Sequence, residues 1–422
     1  MEIRYRVATA EDVEAILRVT VAAFRFTEDS PRYSALRREI EAAPQRYRVL
    51  EQSGEILASL HVGDNWIQVG QCAVLKGDIG HVAVDPGQQA RGLGTMLMNQ
   101  ALADLRVSGY HLSRLGGLVR FYRRFGYEPF PRRFVEFRVK PVQGQREPVP
   151  AVEAYPPPSG YPGDLRPFDE ASDWRGVGGV IHRFMAGRSG ADVVHRPTTP
   201  PAHPAPPDPT GLKFVHDVSG QIRGVLFAHD NPLESTETER CFSIGTFAYE
   251  PDCPDTAAIL LQLLFSRLAP FAPVRITSRL PFDEKLACDL HENGIGFERI
   301  EMHQAVGSNM IQVLNLGAIF DAIASELEAR LQESLLPEWS GVVGFKLPNE
   351  SCALRVDRGE MRACDPQDAT VTVELSQAQF VKALFGLCGM DELPCTMSLT
   401  RLERALLGIL FPRCPSGSGP WG

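Results

Sequence analysis

Two short stretches carry most of the chemistry that this sequence can be read for. The first is Val82-Ala83-Val84-Asp85-Pro86-Gly87-Gln88-Gln89-Ala90-Arg91-Gly92-Leu93-Gly94-Thr95. An apolar strand that ends here, turns tightly and feeds a helix leaves unpaired amides and the positive end of the helix dipole facing outward. Gly92 and Gly94 carry no side chains, so the backbone can approach an anion closely, as a pyrophosphate cradle requires. The same residues also suit a plain glycine-rich turn between strand and helix. Two other nucleotide motifs are not spelled at this point: G-x-G-x-x-G for dinucleotides and G-K-[ST] for a phosphate-binding loop.

The second stretch is Phe121-Tyr122-Arg123-Arg124-Phe125-Gly126-Tyr127. A helix carrying Phe121 and Tyr122 would stop at Gly126, a residue suited to a left-handed end. A phenol with an ordinary pKa of about 10 stays protonated at neutral pH and can donate to a leaving group. Tyr122 also fits the blander role of an aromatic anchor at a helix end. No motif names a base. Glu28 and Asp29, in the loop after the first helix, are either acids for an acceptor site or simply solvated loop residues.

The elements around these stretches follow from periodicity. Residues 1–7 read as a strand, and Thr9 with Asp12 three residues on reads as a helix cap. Val13, Ile16, Leu17, Val21 and Phe24 recur at helical spacing, and a second helix is expected over 31–43. Strands at 47–51 and 56–62 face each other across Ser53-Gly54, and a later strand ends at 81–84. The helix after the glycines presents Met96, Leu97, Ala101, Leu102 and Leu105 on one face. A proline-rich stretch at 143–162 marks a domain boundary, and another at 196–209 an exposed loop. Between and beyond them a second mixed unit has a hairpin through Ser219-Gly220, a strand at 241–249 and a helix at 256–268. A third unit begins near Met310. It has a long helix at 316–335, strands at 341–347, 352–356, 361–364 and 370–375, and helices at 376–387 and 398–410, the order of a small α+β domain.

A chain of 422 residues is long enough for two or three cores, and 44% apolar with 23% charged residues is ordinary for a globular protein. The net charge of −9 argues against nucleic acid as a partner and mildly favours cationic ones. The nine cysteines form no C-x-x-C pair, and the ten histidines no H-E-x-x-H. Free thiols in a reducing cytoplasm and no metal are therefore expected, and no membrane segment is read.

Together the two motifs resemble those of the GNAT acetyltransferase superfamily, in which [QR]-x-x-G-x-[GA] holds the pyrophosphate of coenzyme A and F-Y-x-x-x-G-[FY] closes the domain. The resemblance implies that acetyl-CoA is the co-substrate. It places Val82, Ala83 and Val84 along the pantetheine arm and Gln89, Ala90, Arg91, Gly92, Leu93, Gly94 and Thr95 at the pyrophosphate. Gly117 and Leu118 join the cofactor contacts, and Tyr122 stands at the sulfur as general acid. The whole chain is similar to the enhanced intracellular survival (Eis) family. That likeness implies an α/β (α+β) fold with a GNAT domain at 1–145, a degenerate GNAT-like domain at 146–308 and a small sterol-carrier-like domain at 309–422. In the second unit, Pro251-Asp252-Cys253-Pro254-Asp255-Thr256 replaces the glycine turn and Glu292 stands for Tyr122. The family further implies a terminal carboxylate acting as base, here that of Gly422, a homohexamer, and amine acceptors of the polyamine, aminoglycoside or lysine type. Gly117-Leu118-Val119-Arg120 departs from the small polar and acidic residues that family members often carry there. An acetyl-CoA sensor or lipid-binding protein without turnover, and a transferase of longer acyl groups, are the alternatives.

Overall fold

The computed structural model describes residues 2–140, 163–193, 211–232, 234–281, 284–303 and 308–414. Gly422 lies outside the described residues. The first half begins with β1 (Arg4–Val7), α1 (Val13–Phe24), α2 (Pro31–Ala42), β2 (Tyr47–Gln52), β3 (Glu55–Val69) and β4 (Cys72–Val84). It continues with α3 (Leu93–Val107), β5 (Leu112–Gly117), the single turn α4 (Val119–Tyr122) and β6 (Glu128–Pro129). Local chemistry sets these boundaries. The Thr9 N–H donates to Asp12 Oδ2 at 2.7 Å, closing the turn that leads into α1. Ser30 Oγ accepts from the Tyr33 N–H, with Pro31 at the first position of α2. Ser53 (φ 56°) and Gly54 (φ 86°) are both left-handed, the geometry of the tight turn that joins β2 to β3.

The second half comprises β7 (Arg132–Val139), β8 (Asp164–Pro167), α5 (Glu170–Met185), β9 (Lys213–Val218), β10 (Gln221–Asp230) and β11 (Arg240–Tyr249). After these come α6 (Asp255–Leu268), β12 (Val274–Ser278), α7 (Glu284–Glu292), β13 (Glu298–Met302) and β14 (Ser308–Val313). Strand pairing does not follow the covalent order. The first sheet runs β1-β2-β3-β4-β5-β14-β6, and the second runs β8-β9-β10-β11-β12-β7-β13. Each sheet therefore takes the strand that follows the other's last strand, and seats it between its own fifth and sixth. The exchanged strands are core material. Met310, Ile311 and Val313 of β14 have no exposure, and Val135, Phe137 and Val139 of β7 are buried in the second core.

A repeated ion pair shows the same duplication at atomic scale. Arg6 on β1 donates to both carboxylate oxygens of Asp12 at 2.6 and 2.8 Å and to Glu51 of β2 at 2.6 Å. Arg166 on β8 does the same to Asp173 at 2.7 and 2.9 Å and to Asp217 of β9 at 2.9 Å. The registers agree as well, with Arg6 opposite Val49 and Arg166 opposite Val215.

The third unit contains α8 (Leu316–Gln332), β15 (Gly341–Lys346), β16 (Ser351–Asp357), β17 (Glu360–Cys364), β18 (Val371–Glu374), α9 (Gln377–Leu384) and α10 (Arg401–Leu410). Its four strands lie in the order β17-β16-β15-β18. Helix α8 buries Leu316, Ile319, Phe320, Ile323, Leu327 and Leu331, one stripe at intervals of three and four. That stripe shares a core with Ile67 and Val69 of β3 and Val74 of β4, so the long β3–β4 hairpin ties the third unit to the first sheet. The described residues are thus mixed α/β, with three sheets. Among the described residues, no helix is long and apolar enough to cross a membrane.

Candidate active site

The site opens where two parallel strands part. Strands β4 and β5 pair from Lys76 opposite Leu112 as far as Ile79 opposite Leu115. Beyond that point β4 stays with β3, up to Val84 opposite Ala58, while Gly116 and Gly117 of β5 pair with Asn309 and Ser308 of β14. The exchanged strand holds β5 away and leaves a wedge in the sheet. A cavity of about 920 Å³ fills the wedge.

The glycine stretch forms one wall. Gly92 (φ 79°) sits at the N-cap of α3 in the left-handed region, and Ala90 (φ 63°) precedes it in the same region. The first intrahelical acceptor is the Gly92 carbonyl, reached by the Met96 N–H at 3.0 Å, so the amides of Leu93, Gly94 and Thr95 face the end of the helix. Gly94, in the first turn of α3, carries no side chain to cover these amides. Asp85 braces the turn from below. It accepts from the Gly87 N–H at 2.9 Å and from Arg18 at 3.0 Å. Arg124 adds a positive charge at the rim, its guanidinium over the rings of Phe121 and Phe125 and 3.2 Å from Thr95 Oγ1. These groups fit a pyrophosphate: amides at a dipole end and a guanidinium beside them.

Tyr122 closes the far end. Its ring meets Phe121 edge-on at 4.9 Å and Tyr127 at 6.3 Å. Burial pushes its phenol up to about 12, so it holds its proton across the neutral range and can give it to a thiolate. Gly117 makes room for the ring, because a Cβ there would lie 2.6 Å from Tyr122 Cε2.

The opposite face of the sheet contributes Ala23, Phe24 and His81. A β-bulge decides this. Ser59 pairs with Ala83 and His61 with Gly80, so Leu60 alone faces both His81 and Val82. His81 takes a left-handed φ of 47°. The extra residue inverts the alternation, so Ile79 and Val82 pack in one cluster although they are three apart. His81 thereby falls on the α1–α2 side, with its ring beside those of Phe24, Tyr47 and His61.

Of the residues singled out in the sequence, Val82, Val84, Gln89, Ala90, Gly92, Leu93, Gly94, Thr95, Gly117, Leu118 and Tyr122 line this one cavity. Ala83 is buried in the cluster beneath α1 and α2, and Arg91 is exposed and bonds Gln88. Glu28 and Asp29 are exposed and are not among the lining residues. Phe24, His81, Phe121 and Arg124 went unnoticed as site residues. Arg124 could have been read from its place two residues after Tyr122. His81 could not, since nothing in the string marks a bulge.

Residues 4–130 match the acetyltransferase (GNAT) domain model. That stretch carries a GNAT acetyltransferase domain. Solved structures extend the likeness of fold to the full length. A GCN5-related N-acetyltransferase from Kribbella flavida is 16% identical, with a TM-score of 0.66 over 99% of this chain and 97% of its own. Eis1 from Mycobacterium abscessus is 14% identical, with a TM-score of 0.60 over 99% of each chain. A conserved protein from Enterococcus faecalis V583 is 14% identical, with a TM-score of 0.66 over 99% of this chain and 98% of its own. No curated protein matches the sequence.

The second GNAT-like half has a wedge of its own. Strands β11 and β12 pair from Arg240 opposite Val274 to Ile244 opposite Ser278 and then part. A cavity of about 600 Å³ lies beyond, lined by Phe184, Tyr249 and Pro251 together with Arg183 and with Leu387 and Arg413 of the third unit. The turn into α6 is Glu250-Pro251-Asp252-Cys253-Pro254, without glycine, and Glu250 is buried in an ion pair with Arg183. Gly294 (φ 72°) turns the chain after α7 as Gly126 (φ 90°) does after α4. The residue four before it is Leu290, buried, while Glu292 is exposed, so neither supplies a phenol to this wedge.

Proposed function

We propose that this GNAT enzyme transfers acetyl from acetyl-CoA directly to a primary amine of the polyamine, aminoglycoside or lysine type. The observation that carries this reading is a single cavity with an amide cradle at one end and a protonated phenol at the other. The α3 amides and Arg124 would hold the pyrophosphate, and the free edge of β4 at Val82 and Val84 would accompany the pantetheine arm. With both substrates in the wedge, the amine nitrogen attacks the thioester carbon, the carbon–sulfur bond breaks, and Tyr122 protonates the thiolate. No covalent enzyme intermediate is needed. In this reading residues 1–145 act, with β14 completing their sheet; residues 146–308, with β7 in theirs, are a GNAT-like partner without a cradle; and the rest of 309–422, from α8 on, is a sterol-carrier-like scaffold. The fold likeness to Eis1 and to the Kribbella flavida acetyltransferase supports that division.

The test is to incubate the protein with acetyl-CoA and a panel of polyamines, aminoglycosides and lysine peptides, and to look for acetylated products by mass spectrometry. Tyr122→Phe should lower kcat by about 100-fold or more while leaving acetyl-CoA affinity unchanged. Because the phenol is raised, activity should show no alkaline decline from Tyr122 between about pH 7 and 10. Binding of acetyl-CoA without any acetylated amine would move the reading to a sensor or to a longer acyl donor.

A further inference from the structure

An amine acceptor must lose protons before and after it attacks, and the side of the cavity opposite Tyr122 holds a group able to take them. We propose that His81 is the proton acceptor, held in its reactive tautomer by Glu39 through the hydroxyl of Tyr47. This rests on the acetyl-transfer reading above and names the base that the reading leaves open.

The direction of the hydrogen bonds follows from chemistry. Glu39, as a carboxylate, only accepts. The Tyr47 hydroxyl lies 3.1 Å from Glu39 Oε1 and must therefore donate to it. Its one proton is then committed, so at the other contact, 3.3 Å from His81 Nδ1, the tyrosine oxygen accepts. Nδ1 consequently carries the proton, and Nε2 is the nitrogen left with a free lone pair. Tyr47 is fully buried, and burial, followed by the charge of Glu39, raises its phenol and keeps it a hydroxyl. Glu39 Oε1 also lies 3.6 Å from His81 Nδ1, close enough to stabilise an imidazolium there.

The neighbours leave that charge available. His61 Nε2 is 3.7 Å from the same carboxylate oxygen, but burial pushes its pKa down and favours the neutral ring. Arg46 and Asp64 act on His61 with opposite signs. The remaining ring beside His81 is Phe24, edge-on at 6.5 Å and without charge. The bulge at His81 and Val82 explains why a histidine reaches this place: it puts the imidazole on the face away from the cradle while Val82 stays on the cofactor side. The amine would then add to the thioester carbonyl from the His81 side of the wedge, and the thiolate would leave toward Tyr122 when the tetrahedral adduct collapses.

The balance is simple. An ammonium gives up two protons in becoming an amide. One passes to His81 Nε2 and on to solvent. The other offsets the proton that Tyr122 hands to the thiolate.

The experiment uses the full chain with acetyl-CoA and spermidine or a lysine peptide, following kcat and kcat/KM from about pH 5 to 10 for wild type, His81→Asn, His81→Gln, Glu39→Gln and Tyr122→Phe. Asparagine tolerates the left-handed backbone of position 81, and an unchanged acetyl-CoA dissociation constant by calorimetry reports an intact fold. Both His81 variants should lose about 10²- to 10⁴-fold in kcat and the acidic limb of the profile. Glu39→Gln should lower kcat by about 10-fold with acetyl-CoA affinity unchanged, because an amide can also donate to the Tyr47 oxygen and no longer fixes the direction of its proton. A purely structural cluster would change stability without moving the limb. If His81→Asn keeps kcat within about threefold and retains the limb while Tyr122→Phe is slow, the base lies elsewhere and only this proposal falls. If wild type binds acetyl-CoA and acetylates nothing, this proposal and the transfer reading fall together.

Discussion

The two GNAT-like halves share strand order, a wedge between two parallel strands and an arginine that clamps the first helix, yet they differ where a cofactor would sit. In the first half the turn after β4 has Gly92 in the left-handed region and Gly94 in the first turn of α3, bare backbone beside the α3 amides. In the second, prolines at 251 and 254 occupy the turn, and the buried Glu250, paired with the exposed Arg183, stands beside it. The difference teaches that the fold supplies the gap, while the backbone chemistry of one turn decides what can fill it.

The sharpest way to break the comparison is to separate the halves. A fragment of residues 1–140 retains every motif of the first half but lacks β14, and it leaves β7 without its partners. Burying Met310, Ile311 and Val313 is worth about 1.5–3 kcal/mol for each side chain, a large share of a domain's stability. The fragment should show no cooperative unfolding by circular dichroism and no acetyl-CoA binding by calorimetry. A fragment that folds and binds would show that the exchanged strands are dispensable.

A smaller effect sharpens the contrast between the wedges. In Gly117→Ala the new methyl would lie 2.6 Å from the ring of Tyr122, which must turn away from the gap. Turnover should fall by about 10- to 100-fold with little change in acetyl-CoA affinity, since displacing a reacting group by an ångström costs that much. Steady-state kinetics beside calorimetry would read the split.

The smallest effect tests what the halves share. Arg6→Ala and Arg166→Ala should each destabilise the chain by about 1–3 kcal/mol at neutral pH, by stranding a carboxylate that the arginine bonds twice. The bonds from Arg6 hold Asp12 down at about 2 despite its partial burial. At Asp173 burial works against the charge, and the bonds from Arg166 still keep it below the ordinary range. A carboxylate depressed on folding stabilises above its unfolded pKa and loses that contribution as pH falls. The penalty of Arg6→Ala should therefore shrink between about pH 4 and 2, which urea unfolding at several pH values would reveal.

Much of this molecule was legible in its string of residues. Periodicity located the helices that became α1, α2, α3 and α8, because an amphipathic stripe is written directly in side-chain spacing. Turn chemistry located the hairpins at Ser53-Gly54 and Ser219-Gly220, because few residues accept a left-handed backbone. The glycine turn into α3 and the stop at Gly126 were legible for a related reason: both need a backbone that few residues allow, and that need is local.

Tertiary structure decided what is not local. Nothing in residues 132–139 or 308–313 says that each strand pairs in the other half's sheet, since their alternating apolar residues would satisfy either one. Nothing in Gly80-His81-Val82 announces a bulge, because the extra residue exists only relative to Leu60 on the neighbouring strand. Glu39, Tyr47, His61 and His81 lie on four different elements, and their meeting is a property of packing alone. The sequence by itself determined where a bare glycine turn opens a helix and where a phenol stands at a helix end, since backbone freedom and a phenol belong to single positions. Only the tertiary structure decided how wide the wedge opens and which side chains meet in it, because both depend on strands and side chains brought together from distant parts of the chain.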